Sequence, residues 1–501
     1  MANTLSRRKF IKTLAFAATV TSVSSCRGDH IRPENSRPNL LWIVADDLGT
    51  DLACYGTGEV YTPNMDRLAR EGQRYEDFFT VTAVCSPSRS ALITGMYPCS
   101  IDSHQHRTKY KMPLPHPVRP IPDYFKQRGY FVTNGSERQD DNGFFTKKGK
   151  QDYNFKTNPL YDGTDWNQRA PGQPFFSQIQ IHYPHRPFRA DPVHPVDPAA
   201  VKFPACYPDH PLTRKDWTLY LETIQNADKK VGRVLKRLEE DGLLDKTIIF
   251  FFGDQGRPMM RAKQFLYDGG IRSPLIIRWP GKLKAGSVCH DLISNIDISA
   301  ATLALAGIPI PGHLHGQDFL TDPSQKRKFI VAMRDRRDET VDRIRCIRTK
   351  DLKYIRNFHP EKPYTQFNDY KKSSYPVLTL MQVMDKQGKL TPEQSRFMKP
   401  TRPAEELYDL RNDPDELVNL ADDSSFKDKR LKLRNIMDRW LKEYDRGTYP
   451  EDPNEIQYWQ AYHQKRYAEK LKKRGLPEDA TDEQILQWWH KELGINAIDE
   501  N

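Results

Sequence analysis

The sequence has few cysteines, and they form no paired motif. Seven cysteines are spread over 501 residues, and no two are separated by only two residues. This spacing argues against a disulfide framework and against a structural zinc site. The sequence also lacks a zinc-finger or recognition-helix pattern, so we expect no nucleic-acid partner. The apolar stretch at residues 13–25 is too short to span a membrane.

Positive charge exceeds negative charge in this chain. Lys and Arg total 77 against 66 Asp and Glu, which gives a formal net charge of +11. The basic residues are not clustered as in a nucleic-acid-binding arm, so the excess favours an acidic partner such as a sulfated, phosphorylated or carboxylated polymer. The length exceeds what one small core needs, and we expect a large domain with a smaller one.

The N-terminus has the features of a targeting segment. Residues 6–12, Ser-Arg-Arg-Lys-Phe-Ile-Lys, look like a twin-arginine export signal. Val-Ser-Ser-Cys at 23–26 resembles a bacterial lipobox, in which Cys26 is lipidated. We predict a signal peptide at 1–26 and a linker at 27–37. The bacterial protein would then be passed to the periplasm or cell surface by the export machinery and held at the membrane by a lipid anchor only. The alternative is an ordinary cleaved signal with a chance cysteine.

Residues 85–95, Cys-Ser-Pro-Ser-Arg-Ser-Ala-Leu-Ile-Thr-Gly, predict a short helix that begins near Cys85. Pro87 suits the first turn of a helix, and Gly95 can end it. The helix dipole and Arg89 would both favour an anion at Cys85. Three residues separate Cys85 from Arg89, which excludes the Cys-x5-Arg thiol phosphatases. The alternative is a semi-buried structural cysteine near a helix start.

Two apolar runs predict buried parallel strands that end in oxygen-bearing side chains. Residues 39–45 precede an Asp-Asp pair, and residues 247–252 precede Gly-Asp-Gln. Because open α/β sheets bind ligands at the carboxyl ends of their strands, we expect the two ends to meet. Oxygen ligands without Cys or His favour calcium or magnesium over zinc. The candidate metal ligands are Asp46, Asp47, Asp254 and Gln255. Alternatively, the Asp pair serves as a helix cap and turn.

Several histidines are candidate substrate contacts. His182 and His185 follow a third predicted strand, residues 175–181, and so fall at the same edge of the sheet. His104 and His106 lie in a predicted loop. The alternative for this loop pair is ordinary surface histidines.

Strands alternate with helices up to about residue 325, which predicts an α/β fold with a central, mostly parallel sheet flanked by helices. We assign residues 38–325 to this large domain. Residues 326–450 contain a predicted hairpin and form a smaller α+β subdomain with a short antiparallel sheet. Residues 451–501 are a charged helical tail.

Taken together, these motifs resemble the type I sulfatases of the alkaline phosphatase-like superfamily. The resemblance covers residues 38–450, and the 182–185 and 353–358 segments look most like the heparan N-sulfatase (sulfamidase)-like branch. The family signature, Cys-x-Pro-Ser-Arg followed by Thr-Gly, is matched at Cys85, Pro87, Ser88, Arg89, Thr94 and Gly95.

The resemblance implies a mechanism. A maturase would oxidise Cys85 to formylglycine, whose hydrate attacks sulfur and later releases sulfate. Calcium would be bound by the modified Cys85 together with the four oxygen ligands named above. Arg89 would stabilise the deprotonated hydrate. Lys263 and His185 would contact sulfate, and one of them would protonate the leaving group; His182 would be a secondary contact.

The sequence departs from the family in two places. Gln255 replaces the usual Asn or His, which keeps a carbonyl ligand but adds a methylene. The family's Gly-Lys-x-His segment corresponds best to Gly-Lys-Gln-Asp at 149–152, displaced by an insertion-like loop at 135–149. By this correspondence Lys150 would be a catalytic residue, and Asp152 would contact the substrate.

The leading hypothesis is therefore a sulfatase that hydrolyses sulfate esters or N-sulfate of a sulfated polysaccharide or oligosaccharide. One alternative is a phosphodiesterase or phosphonate hydrolase of the same superfamily. Another is a lipid-anchored glycan-binding protein whose Cys85 is never converted. The absence of further His-Asp zinc ligands argues against dinuclear phosphatase chemistry.

Overall fold

The computed structural model describes residues 37–322, 324–447, 449 and 451–495. The predicted signal peptide with its lipidation site, Cys26, and residues 27–36 of the predicted linker lie outside the described residues. No helix among the described residues is both long enough and apolar enough to cross a membrane.

The strands form one large sheet, one small sheet and an isolated pair. In chain order they are β1 (Asn39–Ala45), β2 (Gln73–Tyr75), β3 (Phe78–Phe79), β4 (Phe131–Ser136), β5 (Phe175–Ile181), β6 (Thr247–Gly253), β7 (Leu275–Arg278), β8 (Ser287–Cys289), β9 (Ile293–Ser294), β10 (Ile330–Arg334), β11 (Ile344–Arg348), β12 (Leu352–Asn357) and β13 (Glu405–Asp409). The large sheet has the order β4-β5-β1-β6-β7-β2-β8. Strands β4, β5, β1 and β6 are parallel, whereas β7 is antiparallel to β6 and β2. This confirms the α/β prediction with a mostly parallel sheet.

The α-helices in chain order are α1 (Pro63–Glu71), α2 (Cys85–Thr94), α3 (Ile121–Gln127), α4 (Pro211–Glu240), α5 (Asp268–Ile271), α6 (Asn295–Leu305), α7 (Asp369–Ser374), α8 (Pro376–Lys386), α9 (Pro392–Ser395), α10 (Lys427–Tyr444), α11 (Pro453–Lys473) and α12 (Asp482–Leu493). Short 3-10 turns occupy Ala53–Tyr55, Pro98–Ile101, Trp166–Gln168, Leu244–Lys246, Arg396–Met398 and Ser424–Phe426.

Strand β1 supplies side chains to two hydrophobic cores, one on each face of the large sheet. Leu41 and Ile43 pack in the core that contains the apolar face of α4. Leu40 and Trp42 pack in the core that contains residues of α3 and α6. Successive side chains of a strand point to opposite faces, so a strand buried on both faces is apolar throughout. This explains why the run at 39–45 shows no polar alternation.

The parallel register aligns the carboxyl ends of three strands at one edge of the sheet. Ala45 of β1 lies beside Ile181 of β5 and Gly253 of β6. The backbone N–H of Asp46 donates to the Ile181 carbonyl at 3.0 Å, and the N–H of Asp254 donates to the Ala45 carbonyl at 2.9 Å. Asp46, His182 and Asp254, which follow these strands, therefore lie at the same end of the sheet.

The C-terminal part contains the antiparallel sheet β10-β11-β12-β13, in which β11 and β12 are adjacent as predicted. Lys353 of β12 is buried and pairs with Asp268 at the start of α5, with 2.5 Å between Nζ and Oδ1. Helices α11 and α12 follow this sheet. Asp482 of α12 accepts a bond from Lys372 in α7 at 2.8 Å, so the charged tail packs onto the body of the molecule.

We expect Trp42→Ala to lower the free energy of unfolding by about 3–5 kcal/mol, because it leaves a cavity in a packed core. The Trp42 side chain is fully buried, and its Nε1 donates to Thr302 Oγ1 of α6 at 3.1 Å. Urea denaturation measures the change. Val288→Ala on the edge strand β8 is the matched control, since Val288 is 41% exposed, and we expect it to change the free energy by less than about 0.5 kcal/mol. Equal losses in the two variants would contradict the assignment of the core.

Candidate active site

Helix α2 begins at Cys85, which is only 2% exposed. The residue before it, Val84, is extended and provides no side-chain cap. The helix ends at Gly95, whose φ of 68° lies in the left-handed region and whose N–H donates to the Ala91 carbonyl. Both predicted ends of the helix are therefore correct. Every residue of α2 is buried, so the helix holds Cys85 at a fixed position.

The predicted oxygen cluster surrounds the thiol. Cys85 Sγ lies 3.5 Å from Asp46 Oδ1 and 3.9 Å from Asp47 Oδ1. Asp254 Oδ1 accepts the backbone N–H of Asp47 at 3.0 Å, and Gln255 Nε2 lies 3.1 Å from Cys85 Sγ. Asp47 has a positive φ of 65°, which ends the alternation of β1 and lets two consecutive carboxylates reach one cluster.

Three basic side chains neutralise the three carboxylates. Lys150 Nζ contacts both oxygens of Asp46 at 2.9 and 2.8 Å. Lys263 Nζ contacts both oxygens of Asp47 at 2.8 and 2.6 Å. The third contact joins Arg89 Nε to Asp254 Oδ2 at 2.8 Å. All three carboxylates are almost inaccessible to solvent, and burying them without these cations would be strongly unfavourable.

The thiol of Cys85 is neutral in this setting. Burial raises the pKa of Cys85 to about 11, although Lys150 and Lys263 oppose the shift. Arg89 bonds to Asp254 rather than to sulfur. The stabilisation of an anion that is expected from the helix dipole and Arg89 is therefore outweighed by desolvation of the thiol.

The carboxylates differ from one another in protonation. Burial would raise the pKa of Asp46, but Lys150, His182, His185 and Arg89 together outweigh it, and the pKa falls well below its usual range. Burial raises the pKa of Asp254 to about 7, although Arg89 opposes the shift. The ionised form of Asp254 is therefore the one that a further positive charge in the cluster would stabilise most.

The donor set fits a hard divalent cation. Asp46, Asp254 and Cys85 each offer a ligand atom, and these atoms lie within 4.8 Å of one another. Gln255 Oε1 is buried and has no hydrogen-bond partner among the described residues. A buried carbonyl oxygen without a donor is costly unless it coordinates an ion. Three carboxylates and one amide oxygen are ligands that calcium and magnesium prefer.

The two histidines after β5 lie at the rim of this cluster. His182 Nδ1 is 3.6 Å from Asp46 Oδ2, and its side chain is half exposed. His185 Nε2 is 3.8 Å from Asp47 Oδ2, and the Arg186 carbonyl binds its Nδ1 at 2.5 Å. Burial lowers the pKa of His185 to about 4, so the ring is neutral with Nδ1 as the donor and Nε2 as the acceptor.

Asp152 lies on the outer side of Lys150. Its Oδ2 is 4.0 Å from Lys150 Nζ, and both of its oxygens accept from Arg107 at 3.1 and 3.0 Å. Arg107 holds the pKa of Asp152 below its usual range, despite burial. The structure therefore places Asp152 near the cluster, as an ion pair with a partner that sequence reasoning did not identify.

The two histidines of the 97–107 loop are buried. His106 Nδ1 bonds to Asp338 Oδ1 at 2.9 Å. His104 packs against the ring of Tyr449 at 5.0 Å between centroids and lines a separate cavity of about 280 Å³. Neither nitrogen of His104 has a hydrogen bond to a described residue. The structure thus does not bring His104 together with the oxygen cluster.

Two further residues support the cluster. Gln180 of β5 accepts a bond from Arg89 Nη1 at 2.6 Å through Oε1. The ring of Tyr370 in α7 lies 5.2 Å from Lys263 Nζ and 5.8 Å from the ring of His185. Gln180 could have been suspected as a polar residue near the end of an apolar strand. Tyr370 left no such signal, because it is more than 100 residues from Lys263 in the chain.

Comparisons with known proteins agree with this geometry. The sulfatase family model matches residues 38–308, and the model for the C-terminal part of N-sulphoglucosamine sulphohydrolase matches residues 259–387. An ulvan-active sulfatase from Formosa agariphila is 33% identical, with 87% of this chain and 81% of that protein covered. Human N-sulphoglucosamine sulphohydrolase is 24% identical, with 85% and 93% covered.

Solved structures share the fold. A protein in complex with its substrate D-glucosamine-2-N,6-O-disulfate superposes with a TM-score of 0.59 at 19% identity, covering 82% of this chain and 98% of that one. A phosphonate monoester hydrolase of Agrobacterium radiobacter superposes with a TM-score of 0.61 at 19% identity, covering 81% and 96%. At this identity the likeness concerns the fold alone. The family match and the 33% identical relative confirm the predicted resemblance: the chain belongs to the sulfatase family and is a sulfuric ester hydrolase.

Proposed function

We propose that this sulfatase removes sulfate from a sulfated polysaccharide or oligosaccharide, using formylglycine made from Cys85 by a maturase and a calcium ion held by the oxygen cluster. One observation carries the proposal. A buried, neutral thiol begins a rigid helix beside three carboxylates and the amide of Gln255, whose oxygen has no partner among the described residues. The relatives named for ulvan and for N-sulphoglucosamine, and the net charge of +11, favour an acidic glycan as substrate.

Cys85 is better suited to be a precursor than a nucleophile. A thiol with a pKa of about 11 carries almost no thiolate at neutral pH. A cluster of hard oxygen ligands is also a poor match for sulfur. Hydrated formylglycine supplies an oxygen nucleophile and, through its second hydroxyl, a route for releasing sulfate. The position of Cys85 at the start of α2 then fixes the direction of attack.

The basic residues of the cluster bind and neutralise sulfate. Lys150 and Lys263 each contact a carboxylate that lies beside Cys85. Their ammonium groups would therefore lie close to the oxygens of a sulfate that approaches residue 85. Arg89, fixed by Asp254 and Gln180, keeps a permanent positive charge beside residue 85. Calcium, when bound to Asp46, Asp47, Asp254 and Gln255, supplies further positive charge that polarises a sulfate oxygen.

A residue at the rim of the oxygen cluster transfers the proton to the leaving alcohol or amine. His185 presents Nε2 toward the cluster because its Nδ1 is held by the Arg186 carbonyl. This arrangement fixes the ring orientation, but Nε2 of the neutral ring is a proton acceptor, so His185 can protonate the leaving group only after Nε2 has itself taken up a proton. Lys263 is the second candidate, since its ammonium group lies beside the same carboxylate.

We propose further that the protein is exported and tethered outside the cytoplasm through a lipid on Cys26. The twin-arginine motif and the lipobox-like Val-Ser-Ser-Cys support this location. A sulfated polysaccharide is too large to enter a cell intact, so a location outside the cytoplasm suits the proposed substrate.

The decisive experiment combines mass spectrometry with substrate comparison. We expect the Cys85 peptide from the native host to contain formylglycine, and we expect the protein to release sulfate but not phosphate or phosphonate from matched esters. Cys85→Ala should remove more than about 99.9% of the sulfate release, since it removes the nucleophile. Unmodified Cys85 in active protein, or a preference for phosphate or phosphonate esters, would refute the proposed function.

Gln255→Leu should weaken calcium binding at least about tenfold, because it removes one oxygen ligand from the cluster. Calorimetric titration of calcium into the metal-free protein measures the affinity directly. Gln255→Glu is the matched control, since it keeps an oxygen at the same reach and should bind calcium at least as tightly as the parent. Unchanged affinity in the Leu variant would show that Gln255 is not a ligand.

Lys150→Met should lower kcat/KM for a sulfated disaccharide by about 10²–10³-fold, because it removes a charge that stabilises the transition state. Lys282→Met is the control. Lys282 follows β7, whose end pairs with the beginning of β6, so it lies at the opposite edge of the sheet. Steady-state sulfate release compares the variants. A loss smaller than about threefold in Lys150→Met would remove Lys150 from the catalytic set.

A further inference from the structure

A hairpin beside the active site carries three exposed basic side chains. This hairpin, residues 136–149, follows β4 and contains the insertion-like loop noted in the sequence. The N–H of Ser136 donates to the Lys147 carbonyl at 2.9 Å, and a further bridge pairs Gln139 with Phe145. Its basic residues are Arg138, Lys147 and Lys148, all of which are exposed.

The hairpin is anchored to the body of the molecule rather than loosely attached. Phe145 is buried against Trp166, and its N–H donates to Asp165 Oδ2 at 2.9 Å. The guanidinium of Arg237 lies over the Phe144 ring at 4.4 Å, and its Nη1 donates to the Gly143 carbonyl at 2.5 Å. The basic residues therefore occupy set positions, which lowers the entropy cost of binding a ligand.

The base of the hairpin leaves no room for a side chain at Gly149. A Cβ at Gly149 would lie 2.5 Å from the Gly135 carbonyl oxygen and 2.6 Å from Asn134 Oδ1. Lys147 and Lys148 precede Gly149 in the chain, and Lys150, which contacts Asp46, follows it. The hairpin is thus continuous with the catalytic cluster.

The hairpin and the catalytic cluster line the same cavity, which has a volume of about 420 Å³. The cluster side of this cavity contains Asp46, Arg89, Lys150 and His182, and the hairpin side contains Ser136, Glu137, Arg138, Lys147, Lys148 and Gly149.

The hairpin side of the cavity has a net positive charge, since three basic residues and one carboxylate line it. Among the residues that the structure describes, the charged ends of Arg138, Lys147 and Lys148 form no ion pair or hydrogen bond. Arg89 and Lys150 differ from them, because carboxylates already bind both. Glu137, which is 8% exposed, is the one hairpin carboxylate that lines the cavity.

We infer that the hairpin 136–149 binds a second anionic group of the substrate while the cluster acts on the first. The inference rests on the proposed function and narrows its substrate class to a glycan with a sulfate or carboxylate near the sulfate that is removed. Ammonium and guanidinium groups bind both kinds of anion. A basic cavity wall next to the reacting group also raises the rate of association of a polyanion.

The inference can be tested with three disaccharides and two double variants. The disaccharides carry one sulfate, two sulfates, or one sulfate and one uronic acid carboxylate. The test variant is Lys147→Glu/Lys148→Glu. The matched control is Lys282→Glu/Lys284→Glu, which reverses two exposed charges at the opposite edge of the sheet.

We expect the parent enzyme to have a higher kcat/KM for a doubly anionic disaccharide than for the singly sulfated one. The ratio of the two values should fall at least about tenfold in Lys147→Glu/Lys148→Glu and stay within about twofold in the control. A loss for both doubly anionic substrates, or for one of them alone, supports the inference and identifies the anion. An unchanged ratio in the test variant overturns it. Because the ratio is measured within one protein, partial unfolding does not mimic the effect.

A binding measurement separates this inference from the proposed function. In a Cys85→Ala background, the Kd for the disulfated disaccharide should rise at least about tenfold when Lys147→Glu/Lys148→Glu is added. This result requires no catalysis, so it would stand even if the protein released no sulfate. Active enzyme with unaltered Kd would instead overturn the inference and leave the proposed function intact.

Discussion

Burying three carboxylates at one edge of a sheet is the constraint on which the rest of the active site depends. Each of them is removed from water, and together they would repel one another strongly. The protein meets this cost with one basic side chain for each carboxylate. These cations come from α2, from the end of the 136–149 hairpin and from the loop after β6, so three distant segments must converge before the site is stable.

The same constraint explains the character of Cys85. In a site crowded with charge that is already paired, the thiol gains little from forming an anion and loses solvation by doing so. The resulting neutral thiol, held at the start of a buried helix, is a suitable precursor for an oxygen nucleophile. The parallel sheet makes the arrangement possible, because β1, β5 and β6 end side by side and none of their polar ends needs a long loop to reach the site.

Much of this arrangement could be predicted from local pattern. The apolar runs at 39–45 and 247–252 predicted strands buried on both faces, and the polar residues after them predicted the oxygen cluster. Pro87 and Gly95 predicted the ends of α2. Local pattern failed for the loop histidines, since an isolated histidine in a loop does not indicate whether it faces a cavity or a core. His104, for example, lies against Tyr449 and outside the cluster.

The sequence by itself determined where strands end, where the helix of Cys85 begins and which oxygen ligands follow, because each of these depends on residues only a few positions apart. Only the tertiary structure decided which groups pair. Lys150 and Asp46 are 104 residues apart, and their contact makes the largest of the contributions that lower the pKa of this carboxylate. The neutral thiol, the Arg107–Asp152 ion pair and the basic wall of the cavity likewise depend on distances between remote segments. Electrostatic energies follow such distances and burial, which no local pattern encodes.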